Sequence, residues 1–249
     1  MMEQSKMTEW ELIDNIGVLT ISNPPQNFLT EPEIVYLSDL KRWTSNESLR
    51  GLIVQGKGRH FSAGADKNNI LTAPDEEGIK NNLTRGKEVL DYLRDLPVPT
   101  IAAIKGVCFG GGLEVALSCH IRVCSDKALF SFPEAGLGIM PGLHGTIKLP
   151  GIVGMAQAMD ILLTGKTLDA QEALRLKLVD FVVPALEVFS FSMDLVKRLT
   201  GEKPLSVIHA VLKSFINARN LPEDEAKEKS DEMFCTLASN LTGKTNRQE

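Results

Sequence analysis

The chain has no run of about 18 consecutive apolar residues, the length that a membrane-spanning helix needs. Its first nine residues, MMEQSKMTE, hold no apolar stretch, so no secretory leader is expected. It also lacks a basic excess. The 249 residues carry 27 lysines and arginines against 32 aspartates and glutamates, a formal net charge of −5. Nucleic-acid binders usually present a basic field, so that class is disfavoured, although basic side chains can still gather around a phosphate-bearing ligand. Internal repeats and low-complexity stretches are missing as well. Cysteine is scarce: Cys108, Cys119, Cys124 and Cys235 are the full set. Cys119 and Cys124 flank His120, which suggests metal. They lie in an alternating apolar run, CHIRVCS, with no second ligand pair downstream, so buried free thiols are expected and no metal site. A reducing, cytoplasmic setting fits that reading.

What is present is an ordinary globular composition, 43% hydrophobic and 24% charged, enough for a real core. Trp10–Asp14 and Ile16–Ser22 read as short strands, the second ended by Asn23-Pro24-Pro25. Residues 30–44 predict a helix, with Thr30 as N-cap, Pro32 in the first turn and Glu33 at the capping-box position. Leu52–Gln55 is apolar and strand-like, and Ile79–Leu96 has helical periodicity ending before Pro97. Thr100–Lys105 reads as a buried strand, Leu113–Ser118 as a helix, and Ile121–Cys124 and Ala128–Phe132 as strands. Beyond Gly151 the pattern turns helical: Val153–Thr164, Asp169–Leu176, Leu186–Leu199, Pro204–Arg219 and Pro222–Ser239. A strand at Val179–Val183 interrupts it, and a frayed tail follows at 243–249. The expectation is an α/β body over residues 1–185 and a helical region over 186–249, with the site at the carboxyl ends of strands.

Two glycine-rich turns follow strands. Gly56-Lys57-Gly58-Arg59-His60-Phe61-Ser62-Ala63-Gly64-Ala65-Asp66 fits neither a dinucleotide fingerprint, because Phe61 stands at the third glycine, nor a P-loop, because Ala65-Asp66 replaces the Lys-Ser/Thr pair. A plain surface turn is one reading. The other is a loop whose backbone N–H groups face a ligand, with Ser62, Ala63, Gly64 and Ala65 small enough to let it approach. Gly110-Gly111-Gly112 opens a helix, where N–H groups are unpaired and the dipole is positive. Glu114 sits three residues beyond Gly111, on the same helix face. By itself, Glu114 also reads as a first-turn glutamate favoured by the dipole.

Taken in order, these segments resemble the crotonase (enoyl-CoA hydratase/isomerase) superfamily. The carrying stretches are Asn23–Leu29, Gly58–Asp66, Pro99–Gly106, Gly110–Glu114, Phe132-Pro133-Glu134 with Gly138, Pro141 and Gly142, then Gly165 and 170–183. The resemblance implies an α/β fold, a crotonase-like spiral of ββα units with a C-terminal helical trimerisation region. It also implies a homotrimer or dimer of trimers, and an acyl-CoA substrate with coenzyme A as part of it and no other cofactor. By position it puts the oxyanion-hole N–H groups on Ala65 and Gly111 and the catalytic carboxyls on Glu114 and Glu134. Ala63, Gly64, Asp66, Gly110, Gly142, His144, Asn27 and Phe28 are the candidate substrate contacts. The implied reaction is addition of water to an α,β-unsaturated acyl thioester, or its reversal. Enoyl isomerisation, cyclic dienoyl-CoA hydration, and dehydration or decarboxylation of a carrier-bound polyketide acyl group are the alternatives. A non-catalytic RNA binder on this fold is disfavoured by the acidic charge. Departures from the family pattern are His144 where a glycine is frequent, Asn68 where a lysine is frequent, and Lys148 where an arginine is frequent. His144 could narrow the acyl pocket, act as an acid/base group, or point away. Lys57, Arg59 and Lys67 are candidates for CoA phosphates, though such charges are often only solvated.

Overall fold

The computed structural model describes residues 2–66 and 75–245. A seven-stranded sheet runs β1 (Glu3–Ser5), β2 (Thr8–Ile13), β3 (Ile16–Ile21), β4 (Gly51–Gly56), β5 (Thr100–Ile104), β7 (Ile121–Ser125), β10 (Phe181–Val183). The first three strands pair antiparallel, and β3 onward is parallel. The β2–β3 hairpin turns through Asp14 and Asn15, both at positive φ, as a two-residue hairpin turn demands. A second sheet joins β6 (Val107–Phe109), β8 (Leu129–Ser131) and β9 (Leu168–Asp169).

The parallel strands are buried on both faces, so their side chains divide by alternation. Leu52, Val54, Ala102, Ile104 and Cys124 enter the main core. Ile53, Ile101, Ala103 and Val123 face the other way, into a smaller core. The main core is covered by α1 (Leu37–Thr44) and α2 (Glu76–Arg94), with Asp75 capping α2 through a bond from the Gly78 N–H. Trp43 of α1 stacks on Trp10 of β2 at 5.3 Å. The smaller core is closed by α7 (Val188–Thr200), through Val188, Met193, Leu195 and Val196. Thus α7, the first helix of the expected 186–249 region, packs on the body. The helices α8 (Leu205–Asn220) and α9 (Glu223–Thr245) pack mainly on each other and leave Val211, Phe215, Phe234 and Leu241 exposed.

One helix expectation needs correction. The helix predicted over 30–44 begins only at Leu37, and Tyr36 at its N-cap makes no side-chain cap. The cause is tertiary. Leu29 bridges to Ala65, Ile34 and Val35 enter the core, and Glu33 pairs with Lys6 at 2.9 Å instead of capping. The helix predicted over 153–164 is α5 (Met155–Thr164), and before it stands a helix with no counterpart in the sequence reading, α4 (Gly145–Val153), the two separated by Gly154 at φ 83. α6 spans Ala170–Arg175, after its cap Asp169. β1 was not foreseen, and α9 continues to Thr245, past the expected fraying point. No described helix is long and apolar enough to cross a membrane.

Cys108, Cys119 and Cys124 are buried free thiols, while Cys235 on α9 is exposed. Burial pushes the Cys119 and Cys124 thiols up to about 12, so they stay neutral. His120 between them accepts the Thr100 N–H at its Nδ1 and sits 3.0 Å from the Arg94 carbonyl at its Nε2, a structural tie.

Candidate active site

The residues 62–66 are threaded between two neighbours. On one side Leu29 bridges to Ala65: the Leu29 N–H donates to the Gly64 carbonyl and the Asp66 N–H to the Leu29 carbonyl. In such a parallel bridge the N–H of Ala65 itself faces away from Leu29. On the other side Ser62 bridges to Cys108 of β6, but the pairing cannot continue, because Gly110 turns the chain into α3 (Gly111–Ala116). The Ala65 and Gly111 N–H groups are thereby left without a partner among the described residues. They lie close together: a Cβ on Gly64 would sit 3.4 Å from the Gly111 nitrogen, and one on Gly111 would sit 3.9 Å from the Ala65 nitrogen. Both residues line one cavity of about 360 Å³.

Close approach explains the outer two of the three glycines. A Cβ on Gly112 would meet Ser62 at 2.7 Å. One on Gly110, whose φ is +49, would meet Glu134 Oε1 at 2.7 Å. A Cβ on Gly64, whose φ is +87, would meet the Phe109 carbonyl oxygen at 2.8 Å.

Two carboxyl groups line the same cavity. Glu114, on α3, is 2% exposed, and its Oε1 accepts the Leu143 and Gly145 N–H groups, each at 2.7 Å. Burial raises its pKa. The two backbone bonds and the charges of Lys148 and Lys87 act against that and favour the carboxylate. Glu134, on the short 3-10 turn Glu134–Leu137, has a buried Oε2 with no partner. Burial, together with the charge of Glu114, pushes its pKa up to about 7. The pair is therefore split, with one carboxyl held by donors and the other poised to keep its proton.

That shift has a stability consequence. The pKa of Glu134 rises on folding from 4.5 to about 7, so the fold prefers the protonated form. Its contribution is full below the unfolded value and is lost as pH climbs through the folded one. With its partial exposure allowed for, the loss is on the order of 2 kcal/mol. Thermal unfolding of wild type and Glu134→Gln at pH 5.5 and pH 8.5 checks this: the variant will lose less Tm across that span than wild type does.

The remaining candidates divide. Asp66 and Gly142 line the cavity, and Gly142 is tight because a Cβ there would sit 2.9 Å from Leu83. Gly110, Ala63 and Gly64 act from behind it, and the Ala63 N–H donates to the Gln26 carbonyl. Asn27 is not placed to touch a ligand: it is fully buried, and its amide donates to the Lys57 and His60 carbonyls. Phe28 is half-buried outside the cavity lining. His144 does not line the cavity either. It sits at the N-cap of α4 with φ 75, and its Nδ1 lies 3.8 Å from Asp91 of α2, so it does not narrow the acyl space. Lys57 pairs with Glu9 at 2.6 Å, and Lys67 and Asn68 fall outside the described residues.

Sequence reasoning missed the donors from Leu143 and Gly145. The signal was present, since a glycine-flanked turn opening a helix offers free N–H groups, as at Gly110. Lys148, which the sequence marks only as a departure from the family pattern, is buried so that its ammonium falls to about 8. Lys148 donates to Ser118 Oγ at 2.7 Å, and the Ser118 hydroxyl donates to the Glu114 carbonyl. The apolar walls are Leu29, Leu83 and Leu143, with Ile79, Ile139 and Met140 at an exposed rim.

Comparison with known proteins points one way. The family model described as Enoyl-CoA hydratase/isomerase matches residues 11–248. Pseudomonas aeruginosa DspI superposes with a TM-score of 0.87 at 30% identity, covering 94% of this chain and 90% of that one. An enoyl-CoA hydratase from Thermoplasma volcanium GSS1 gives a TM-score of 0.83 at 28% identity, covering 95% and 94%. A Thermobifida fusca YX protein in complex with CoA gives 0.84 at 26% identity, covering 95% of each chain. Matched by the family model over nearly its whole length and 30% identical to DspI across 94% of its residues, the chain belongs to the enoyl-CoA hydratase/isomerase family.

Proposed function

We propose that the chain is a hydro-lyase that adds water to an α,β-unsaturated acyl-CoA, or removes it. The carrying observation is the split carboxyl pair, Glu114 and Glu134, lining one cavity with the unpartnered Ala65 and Gly111 N–H groups. The thioester oxygen accepts from both N–H groups. These bonds strengthen as enolate charge grows on that oxygen, so they favour the transition state over the bound substrate. Glu114, as carboxylate, takes a proton from water while the water oxygen bonds to the β-carbon. The alkene electrons pass to the carbonyl as enolate, and Glu134, as acid, returns a proton to the α-carbon. Water is consumed, and no electron carrier is needed for the balance. CoA enters as part of the substrate, as the CoA held by the Thermobifida fusca relative suggests.

The test is hydration of crotonyl-CoA, followed by loss of the conjugated-thioester absorbance. Binding without turnover would redirect the reading to a bulkier acyl group or a carrier-bound one. Because Glu134 acts protonated and burial pushes its pKa up to about 7 in the ligand-free protein, the hydration kcat/KM will fall as pH rises above that value, a limb absent in Glu134→Gln. We further assign the α8–α9 pair, with Val211, Phe215, Phe234 and Leu241 exposed, to assembly as a homotrimer or dimer of trimers. Light scattering on the purified chain tests that, and a monomer at micromolar concentration would reject it.

A further inference from the structure

A second concave surface lies at the carboxyl ends of β5, β7 and β10, where the chain leaves the sheet through Lys105-Gly106, Asp126-Lys127 and Pro184-Ala185-Leu186. Together with the Gly58–His60 turn, these segments enclose about 480 Å³. No residue lines both this cavity and the acyl cavity.

Its charge has one sign. Arg59, Lys105 and Lys127 line it, and no carboxylate does. Lys127 has only a loose pair with Asp126 at 3.9 Å, with its side chain 83% exposed. Arg59 and Lys105 have no acidic partner among the described residues. Ser125, also in the lining, is 1% exposed, and its Oγ has no hydrogen-bond partner. A buried hydroxyl left unpaired is uncommon and calls for an explanation. His60 accepts the Val107 N–H at Nδ1, so its neutral ring carries the proton on Nε2, one more donor. Burial and the charge of Arg59 hold that imidazole below its usual range, which agrees with a positive local field. Beside these donors stands an apolar wall of Leu129, Leu186 and Phe189, with Leu186 98% exposed.

Like charges drawn together without a counter-charge repel one another, and an anion offsets that. A phosphate brings close to two negative charges and three acceptor oxygens, which suits a guanidinium, two ammonium groups and a hydroxyl. A single carboxylate would leave most of those donors unused. We propose that this cavity is a second ligand site, binding a small organic phosphate with its anionic group among Arg59, Lys105, Lys127 and Ser125 and its apolar body against Leu186 and Phe189. The site is separate from the acyl cavity and does not rest on the hydro-lyase reading. Arg59, a candidate for CoA phosphates from sequence alone, faces this cavity instead.

The experiment is calorimetric titration of the full chain with phenyl phosphate, alone and with saturating acetyl-CoA. One saturable site per chain is expected, weakening as salt is added and undisturbed by acetyl-CoA. The Kd will rise about tenfold or more in the Lys105→Gln/Lys127→Gln double variant. In Ser125→Ala it will rise about threefold while Tm holds or increases, since an unpaired buried hydroxyl has been removed. Three results would overturn the proposal: no saturable binding to wild type, an unchanged Kd in the double variant with its Tm intact, or competition by acetyl-CoA. Competition would place the phosphate at the CoA end of the acyl site. Crotonyl-CoA turnover in the same double variant is a separate readout, so failure of either reading is told apart from failure of the other.

Discussion

Replacing Glu114 by Gln will lower the kcat for thioester hydration by roughly 10²–10⁴, with a much smaller change in KM. The amide keeps an oxygen that can accept the Leu143 and Gly145 N–H groups, so the turn that opens α4 stays in place. What is lost is the capacity to take a proton. Glu134→Gln will cause a loss of the same order for the opposite reason. The amide is neutral like the protonated acid and fits the same half-buried place, but it has no acidic proton for the α-carbon. Because the two groups work on one event, the double variant will fall by far less than the product of the single effects. Steady-state kinetics with melting curves will decide the matter. A single variant within about tenfold of wild type, with folding intact, would remove that residue from the chemistry.

Gly110→Ala is the second change with a large expected effect, although Gly110 contributes no functional group. Its φ of +49 and ψ of −125 lie in a region that residues with a Cβ rarely occupy, a strain of about 1–3 kcal/mol. The added methyl would also stand 2.7 Å from Glu134 Oε1, so the carboxyl must shift. A displacement of about 1 Å in an acid group can lower a rate by 10². The expectation is a kcat reduced by about 10², a KM close to wild type and a lowered Tm. Gly111→Ala is the informative comparison. Gly111 is not at positive φ; its Cβ would meet the flexible Leu29 Cδ1 at 3.2 Å and stand 3.9 Å from the Ala65 nitrogen, so it crowds the thioester oxygen without moving Glu134, and a raised KM with Tm close to wild type is expected. If the two alanines behaved alike, the close contact between Gly110 and Glu134 would not be the cause.

Much of this was legible because it depends on residue type and spacing. The leucine spacing predicts α2, and the buried strand at Thr100 and the triple glycine locate α3 and hence Glu114. The misreadings have local physical causes. Thr30, Pro32 and Glu33 make a good helix start in isolation, but Lys6, brought up by the β1–β2 hairpin, takes the Glu33 carboxylate. Gly145–Val153 looks like a loop because it holds glycine and Pro150, yet it is a helix entered from a left-handed histidine. Asn27 sits in a family motif, which suggested contact with substrate, whereas its amide clamps the neighbouring turn. The donors to Glu114 are backbone groups, and only the glycines flanking their turn hint at them. The second cavity was out of reach of the sequence for another reason. Arg59, Lys105, Ser125 and Leu186 come from separate stretches that only the sheet brings together.

The distribution of the four cysteines gives the molecule a reporter position. Three thiols are sealed inside the body, and burial raises the Cys108 pKa well above its ordinary value too. Cys235 is exposed on α9 and lines neither cavity. A maleimide fluorophore added to the native chain will therefore attach at one place without any cysteine being engineered out. Emission from that dye would follow the environment of the α8–α9 hairpin, and so subunit exchange, in protein whose acyl site is chemically untouched.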